Sequence, residues 1–337
     1  MRRIRFVQFG VGAIGAQVVR LALEDGRLEP VGAIDLDPEK AGRDLGRVAG
    51  LDRDLGIVVR EDAAAALRET EAEVVVHSTG SRLDAVYSQL RQALEAGRHV
   101  ISTCEELAFP WARHPELARA LDREARERGL RVLGAGVNPG FVMDLLPSIL
   151  SVACQRVEAV RVRRVVDVAQ RRLQLQRKVG VGLTPEAFQR GLEEGSIGHV
   201  GLLESALMVA DALGWRLEQV EEEAAPVLAR GFLRAGAWRL EAGQVAGCRQ
   251  TVRGLVQGRE VLRLELVMAL RATDPHDAIE IDGVPSIRLR LPGGVEGDSA
   301  TAALVVHLAP LVAGDLAPPG LLTVRDLPLA PRTYRET

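Results

Sequence analysis

Lysine is nearly absent from this 337-residue chain: Lys40 and Lys178 are the only two, and almost all positive charge is arginine. A mechanism built on lysine therefore has very few places to put it. Cysteine is scarce too. Cys104, Cys154 and Cys248 are widely spaced and odd in number, which describes neither a disulfide framework nor a zinc site; buried small hydrophobes in a reducing compartment are expected, and no metal. An excess of charge of one sign is also missing. With 43 basic and 46 acidic residues the net charge is −3, so no surplus field draws nucleic acid or an anionic membrane. No apolar run reaches the roughly eighteen residues of a membrane span, and no basic-then-apolar leader opens the chain. The expectation is a cytoplasmic protein with no membrane and no nucleic-acid partner.

What is present looks like an ordinary soluble protein, 47% hydrophobic and 26% charged, with a length that suggests about two domains. The most informative stretch is the first. Ile4 to Phe9 is a short apolar strand that runs into Gly10, Gly12 and Gly15, then into a helix-forming segment, Ala16 to Leu23. Gly10 suits a tight turn, Gly12 a close approach of backbone to a pyrophosphate, and Gly15 the packing of helix on sheet. The anion would sit on the free N–H groups at the helix start, Ala13 and Ile14 among them. Asp35 ends the next apolar run, twenty positions after Gly15, where a carboxylate can accept both ribose hydroxyls of NAD. The same carboxylate disfavours a 2′-phosphate, although Lys40 and Arg43 stand close enough in sequence to soften that preference toward NADP.

Strands and helices then alternate, with strands near 30–35, 56–59, 73–78, 99–102 and 131–134 and helices between them. That rhythm predicts a doubly wound parallel sheet of the Rossmann type. Ser78, Thr79 and Gly80 follow the fourth strand at its carboxyl edge, where open sheets bind ligands, and are expected beside the cofactor. His77 is expected as a packed, hydrogen-bonded residue. From about Gly140 the pattern changes: a helix Phe141–Ala153, a long strand Val157–Val168, helices Pro185–Glu193 and His199–Leu213, then glycine-punctuated strands to residue 290. This predicts an α+β domain with a largely antiparallel sheet, able to bury one face on helices and offer the other to a partner subunit. The boundaries expected are 1–139, 140–297 and 298–337, the last returning to the first domain through a helix Ser299–Ala313.

The fifth strand ends in Ser102-Thr103-Cys104-Glu105-Glu106, two adjacent carboxylates at the mouth of the expected cofactor cleft. Many two-domain reductases of this architecture carry a lysine there. A carboxylate instead attracts an ammonium or iminium and, if partly buried, can exchange a proton with an amine. Carboxylates that merely stabilise the following turn would look the same. Asn138, between Val137 and Pro139, could contact nicotinamide or substrate, or simply make a turn between domains. His199 is predicted near a helix N-terminus, and Asp167 either lines a pocket or pairs with a neighbouring arginine.

With these residues in view the chain resembles the 2,4-diaminopentanoate dehydrogenases and native amine dehydrogenases of the dihydrodipicolinate-reductase-like superfamily. The stretches that carry the resemblance are FGVGAIG, STCEELAFPWARHPELA, GVNPGFVMD, GLTPEAFQRGLEEGSIGHVGLLESALMVADALGW, VAGC and PGLLTVRDLP, spread over nearly the whole chain. The resemblance implies NAD(P)-dependent oxidative deamination of an amine to a ketone and ammonia, reversible as reductive amination. It implies a glutamate of the Glu105–Glu106 pair as acid/base, with position leaning toward Glu106, substrate contacts from Asn138, Phe141 and His199, and a homodimer. The basic stretch Gln170 to Gly182 departs from the family pattern and would disfavour a second ammonium in the substrate. Two other readings compete: a dihydrodipicolinate-type reductase, which normally shows paired histidines that this chain lacks, and a nucleotide-sensing protein without turnover.

Overall fold

Local chemistry makes the first crossover. In the computed structural model, which describes residues 3–328, β1 (Ile4–Phe9) buries its last four residues and stops at Gly10, whose φ of 89° only glycine adopts freely. Helix α1 (Ala13–Asp25) follows and ends at Gly26, left-handed at φ 75°, with its N–H on the Ala22 carbonyl. The series continues with β2 (Leu28–Ile34), α2 (Leu45–Val48), β3 (Val59–Arg60), α3 (Ala63–Glu69), β4 (Val74–His77), α4 (Leu83–Glu95) and β5 (His99–Ser102). A single 3-10 turn, Glu105–Ala108, precedes α5 (Pro115–Glu127) and β6 (Arg131–Gly134). Asp62 caps α3 by accepting the Ala65 N–H, and Pro115 opens α5. The strands are parallel in the order β6-β5-β4-β1-β2-β3. Val74, Val75 and Val76 are fully buried, as a strand covered on both faces requires.

The chain divides at Val137/Asn138 and again at Glu296/Gly297. The middle unit contains α6 (Leu145–Ser151), β7 (Arg156–Asp167), α7 (Leu173–Lys178), α8 (Pro185–Glu193), α9 (Leu202–Ala212) and β8 (Gln219–Leu228). It continues through β9 (Leu233–Ala235), β10 (Trp238–Leu240), β11 (Val245–Val256), β12 (Arg259–Ala269), β13 (His276–Val284) and β14 (Ile287–Pro292). Six strands make one sheet in the order β14-β13-β7-β12-β11-β8, antiparallel except for β7 beside β12; β9 and β10 form a separate hairpin. α9 packs its apolar side on β11 and β12, while Arg161, Arg163, Arg249 and Arg263 stand exposed on the sheet, laced by pairs such as Arg163–Glu265 at 2.9 Å. The mixed α/β architecture with a parallel and a largely antiparallel sheet is the one expected.

After Glu296 the chain adds α10 (Gly297–Ala313) and β15 (Gly320–Leu322) to the first unit, α10 against α1 and β15 parallel to β6. α10 is apolar on every side, and Ala302, Val305, Val306, Ala309 and Val312 have no exposed surface.

Two expectations are corrected, and one strand was unforeseen. The helix foreseen from Phe141 to Ala153 starts at Leu145, because Asp144 caps it by accepting the Leu145 N–H, and it ends at Ser151. The helix foreseen from His199 starts at Leu202, because Gly201 at φ 108° breaks the run. β8 was unforeseen: Glu221-Glu222-Glu223 and Pro226 read as polar and strand-breaking, yet β8 is an edge strand bonded to β11 alone, where charge and proline are tolerated.

Candidate active site

In the first unit the sheet order reverses between β1 and β4, the switch point beyond whose carboxyl ends open sheets of this kind bind ligands. Two turns line it and are latched together. The Gly10 carbonyl accepts from Gln8 Nε2 at 2.9 Å and from Ser78 Oγ at 2.8 Å, and Gln8 also donates to Ser78 Oγ. A Cβ at Gly15 would lie 2.0 Å from that carbonyl, and one at Gly10 would lie 2.7 Å from Ser78 O. At Gly12 a Cβ would meet nothing within 4 Å. The turn is thus closed by protein at Gly10 and Gly15 and open at Gly12. Beyond it, α1 begins at Ala13 and Ile14 with no side-chain cap and no acidic residue in its first turn, leaving its N–H groups to an anion. Ser78 and Gly80 are half-buried and Thr79 exposed on the same edge. These features fit a dinucleotide pyrophosphate. Gln8, a fully buried amide within an apolar strand, was the signal that sequence reading passed over.

Asp35 stands at the end of β2. Its Oδ2 accepts the Val11 N–H at 2.7 Å and pairs with Lys40 Nζ at 3.1 Å, and its Oδ1 accepts the Asp37 N–H. Lys40 also reaches Asp37 at 3.3 Å, whereas Arg43 turns to the Glu39 carbonyl. His77 is packed as expected: fully buried, with Nδ1 2.8 Å from Ser102 Oγ and Nε2 2.8 Å from both Gln89 Oε1 and Thr79 Oγ1. Burial pushes it down to about 4, so it is neutral.

The two glutamates differ. Glu105 is half-buried; Glu106 is 5% exposed. Glu106 Oε2 accepts the Leu83 N–H, the first of α4, at 2.7 Å and lies 2.8 Å from His114 Nε2, while its own N–H donates to the Ser81 carbonyl at 3.2 Å. Among the described residues both side-chain bonds use Oε2, which leaves Oε1 for a further donor. The turn bearing them presses on β6, where a Cβ at Gly134 would approach Ala108 N to 2.5 Å. Asp84, Glu106 and His114 bring one ligand atom each within 4.8 Å of one another, but the Glu106 oxygen already holds a main-chain N–H. Cys104 is buried, and burial raises its thiol far above the ordinary range; Cys248 is likewise buried and pushed up to about 12, whereas Cys154 is only half-buried.

In the middle unit Asp144 organises the residues after Pro139. Fully buried, it accepts the Gly140 N–H at 2.8 Å and the Ser205 hydroxyl of α9 at 2.7 Å, and burial raises its carboxyl. Phe141 and Asn138 are half-buried in this turn, and the Asn138–Pro139 peptide is cis. His199 does not cap α9, as Gly201 takes that place. Instead the Gln250 side chain of β11 accepts the His199 N–H at 2.7 Å and donates to its carbonyl at 3.0 Å. His199 Nε2 lies 3.0 Å from the Asn138 carbonyl, and desolvation, then the Lys178 charge, push the imidazole down to about 3. Of the two roles expected for Asp167, a pocket lining or a partner to arginine, the contacts among the described residues are to main chain: its Oδ1 accepts the backbone N–H groups of Ala169 and Arg271. His114, Asp144 and Gln250 escaped sequence reading because their partners lie 8 to 61 residues away.

Comparison with known proteins agrees with this picture. The 2,4-diaminopentanoate dehydrogenase C-terminal domain family matches residues 141–336. A 2,4-diaminopentanoate dehydrogenase of Acetoanaerobium sticklandii is 31% identical over 98% of this chain and 94% of its own length. An amine dehydrogenase of Streptomyces virginiae is 25% identical over 98% of both chains. The solved amine dehydrogenase of Mycobacterium smegmatis superposes with a TM-score of 0.86 at 28% identity, covering 98% of this chain and 97% of that one.

Proposed function

Since the chain belongs to the 2,4-diaminopentanoate dehydrogenase family, we propose that it oxidatively deaminates an amine, R2CH–NH3+ + NAD(P)+ + H2O giving R2C=O + NH4+ + NAD(P)H + H+, reversible as reductive amination. The observation that carries the proposal is Glu106, a buried carboxylate fixed through one oxygen at the carboxyl edge of the dinucleotide-type sheet.

Gly10, Gly12, Ala13, Ile14 and Gly15 would hold the pyrophosphate, Asp35 the ribose, and Ser78, Thr79 and Gly80 the nicotinamide side. When bound, the nicotinamide supplies the hydride acceptor. Glu106 takes a proton from the substrate ammonium at Oε1, because hydride can leave the carbon only when the nitrogen lone pair is free to form the iminium. Before that transfer its negative charge attracts the substrate ammonium; after it the carboxyl is neutral and holds the proton while the iminium forms. The same group returns a proton as water adds and ammonia departs. Asn138, Phe141, Asp167 and His199 are assigned to the substrate; His199 would serve as a neutral imidazole, since its value of about 3 precludes a cation at pH 7. Residues 1–139 and 298–337 would form the nucleotide domain and 140–297 the substrate domain, in a cytoplasmic homodimer joined through the antiparallel sheet. No helix among the described residues is long and apolar enough to cross a membrane.

NAD+ mixed with 2,4-diaminopentanoate or a short alkyl amine is expected to give NADH absorbance. E106Q should lower kcat by at least about a hundredfold with NAD+ affinity kept. E105Q should stay within about tenfold of wild type. Absence of turnover with any diamine or alkyl amine overturns the activity, and wild-type rates in E106Q overturn the acid/base assignment.

A further inference from the structure

His114 faces the reactive carboxylate from an element of its own. It lies just before α5, where its N–H donates to the Pro110 carbonyl at 2.9 Å and its carbonyl accepts the Ala118 N–H at 2.9 Å, so the backbone that carries the imidazole is fixed at both ends. The Glu106 oxygen it meets already accepts the Leu83 N–H. A bare Nε2 would set one lone pair against another, so Nε2 carries the hydrogen and donates. From these contacts we infer that His114 is a positioning residue for the amine reaction: it acts through Glu106, pinning Oε2 so that Oε1 is the oxygen offered to the substrate nitrogen.

The inference rests on the reading of Glu106 as acid/base. Two donors from two different elements fix both the position and the rotation of the carboxylate. With the imidazole removed, the Leu83 N–H alone leaves the carboxyl free to swing about that one bond. A misplacement of about 1 Å can cost up to about a hundredfold in rate while leaving cofactor affinity alone. Asp84 is the other charged group in the cluster, but it is exposed and makes its own bond to the Ala85 N–H, so it serves as the control.

Four proteins, wild type, H114A, H114Q and D84N, decide it by steady-state rates, NAD+ dissociation constant and urea midpoint. H114A is expected to lower kcat at least about tenfold, with the amine KM, NAD+ affinity and midpoint near wild type. H114Q, whose amide N–H can meet the same oxygen, should recover most of the loss, and D84N should match wild type. Wild-type kcat in H114A overturns the inference. So does a loss that H114Q fails to recover, or one that comes with a lowered midpoint, since either would mean that the imidazole only supports the fold. Failure of the underlying reading looks different: E106Q would then keep its rate whatever H114A does.

Discussion

At the scale of the residue, Lys40 decides what Asp35 can refuse. A lone carboxylate at the end of β2 would repel a 2′-phosphate, but here the ammonium sits 3.1 Å away, held also by Asp37. Neutralised in this way, Asp35 is expected to tolerate either coenzyme, with Lys40 placed to meet the extra phosphate. K40A should therefore weaken NADP+ binding by about tenfold or more and leave NAD+ within about threefold, as read by titration calorimetry; equal losses for both would sink this account. Sequence named Asp35, Lys40 and Arg43 but could not rank them, because all three lie in one loop whose turns decide which side chain folds back. Between Glu105 and Glu106, position in the sequence leaned toward the second without showing its partners. Neighbours in a 3-10 turn point about a third of a circle apart, and only the long-range partners Leu83 and His114 distinguish them.

Elements were legible where their signals were local. Strand, glycine turn and helix at residues 4–25 are written in consecutive residues. So are the valine run of β4 and the proline starts of α5 and α8. β8 was not, since its strand character comes from pairing with β11. The turn between β1 and α1 offers a test of what the open space is for. G12A meets no protein atom within 4 Å and should unfold at the wild-type urea concentration while binding the dinucleotide at least about tenfold more weakly. G15A, 2.0 Å from a carbonyl, should lose both, with about 1–3 kcal/mol of stability. A G12A protein that binds NAD+ normally would mean that the space is not the ligand's.

For the whole molecule, neutral histidines held low by desolvation contribute to the response to acid. His77 and His99 are pushed down to about 4 and His199 to about 3, in each case first by burial. Folded values lie below the unfolded value of about 6.5, so the unfolded chain takes up protons that the folded chain refuses. Stability is then level above about pH 6.5 and falls as pH drops toward 4, by about 1.4 kcal/mol per pH unit for a fully buried residue such as His77. H77Q should flatten the urea midpoint between pH 6.5 and 4.5; an unchanged slope would remove His77 from the account. At this scale sequence showed the two sheets clearly, because α/β alternation and glycine-punctuated strands are long patterns that survive local errors.

The return of the chain through α10 and β15 to the unit it began carries a consequence for synthesis. A ribosome makes β1 first, yet the helix that covers α1 emerges only after Asn138–Glu296 has been released. The middle unit can therefore finish while the opening strands wait with apolar surface uncovered, and the nucleotide-type fold, first to be translated, is last to close.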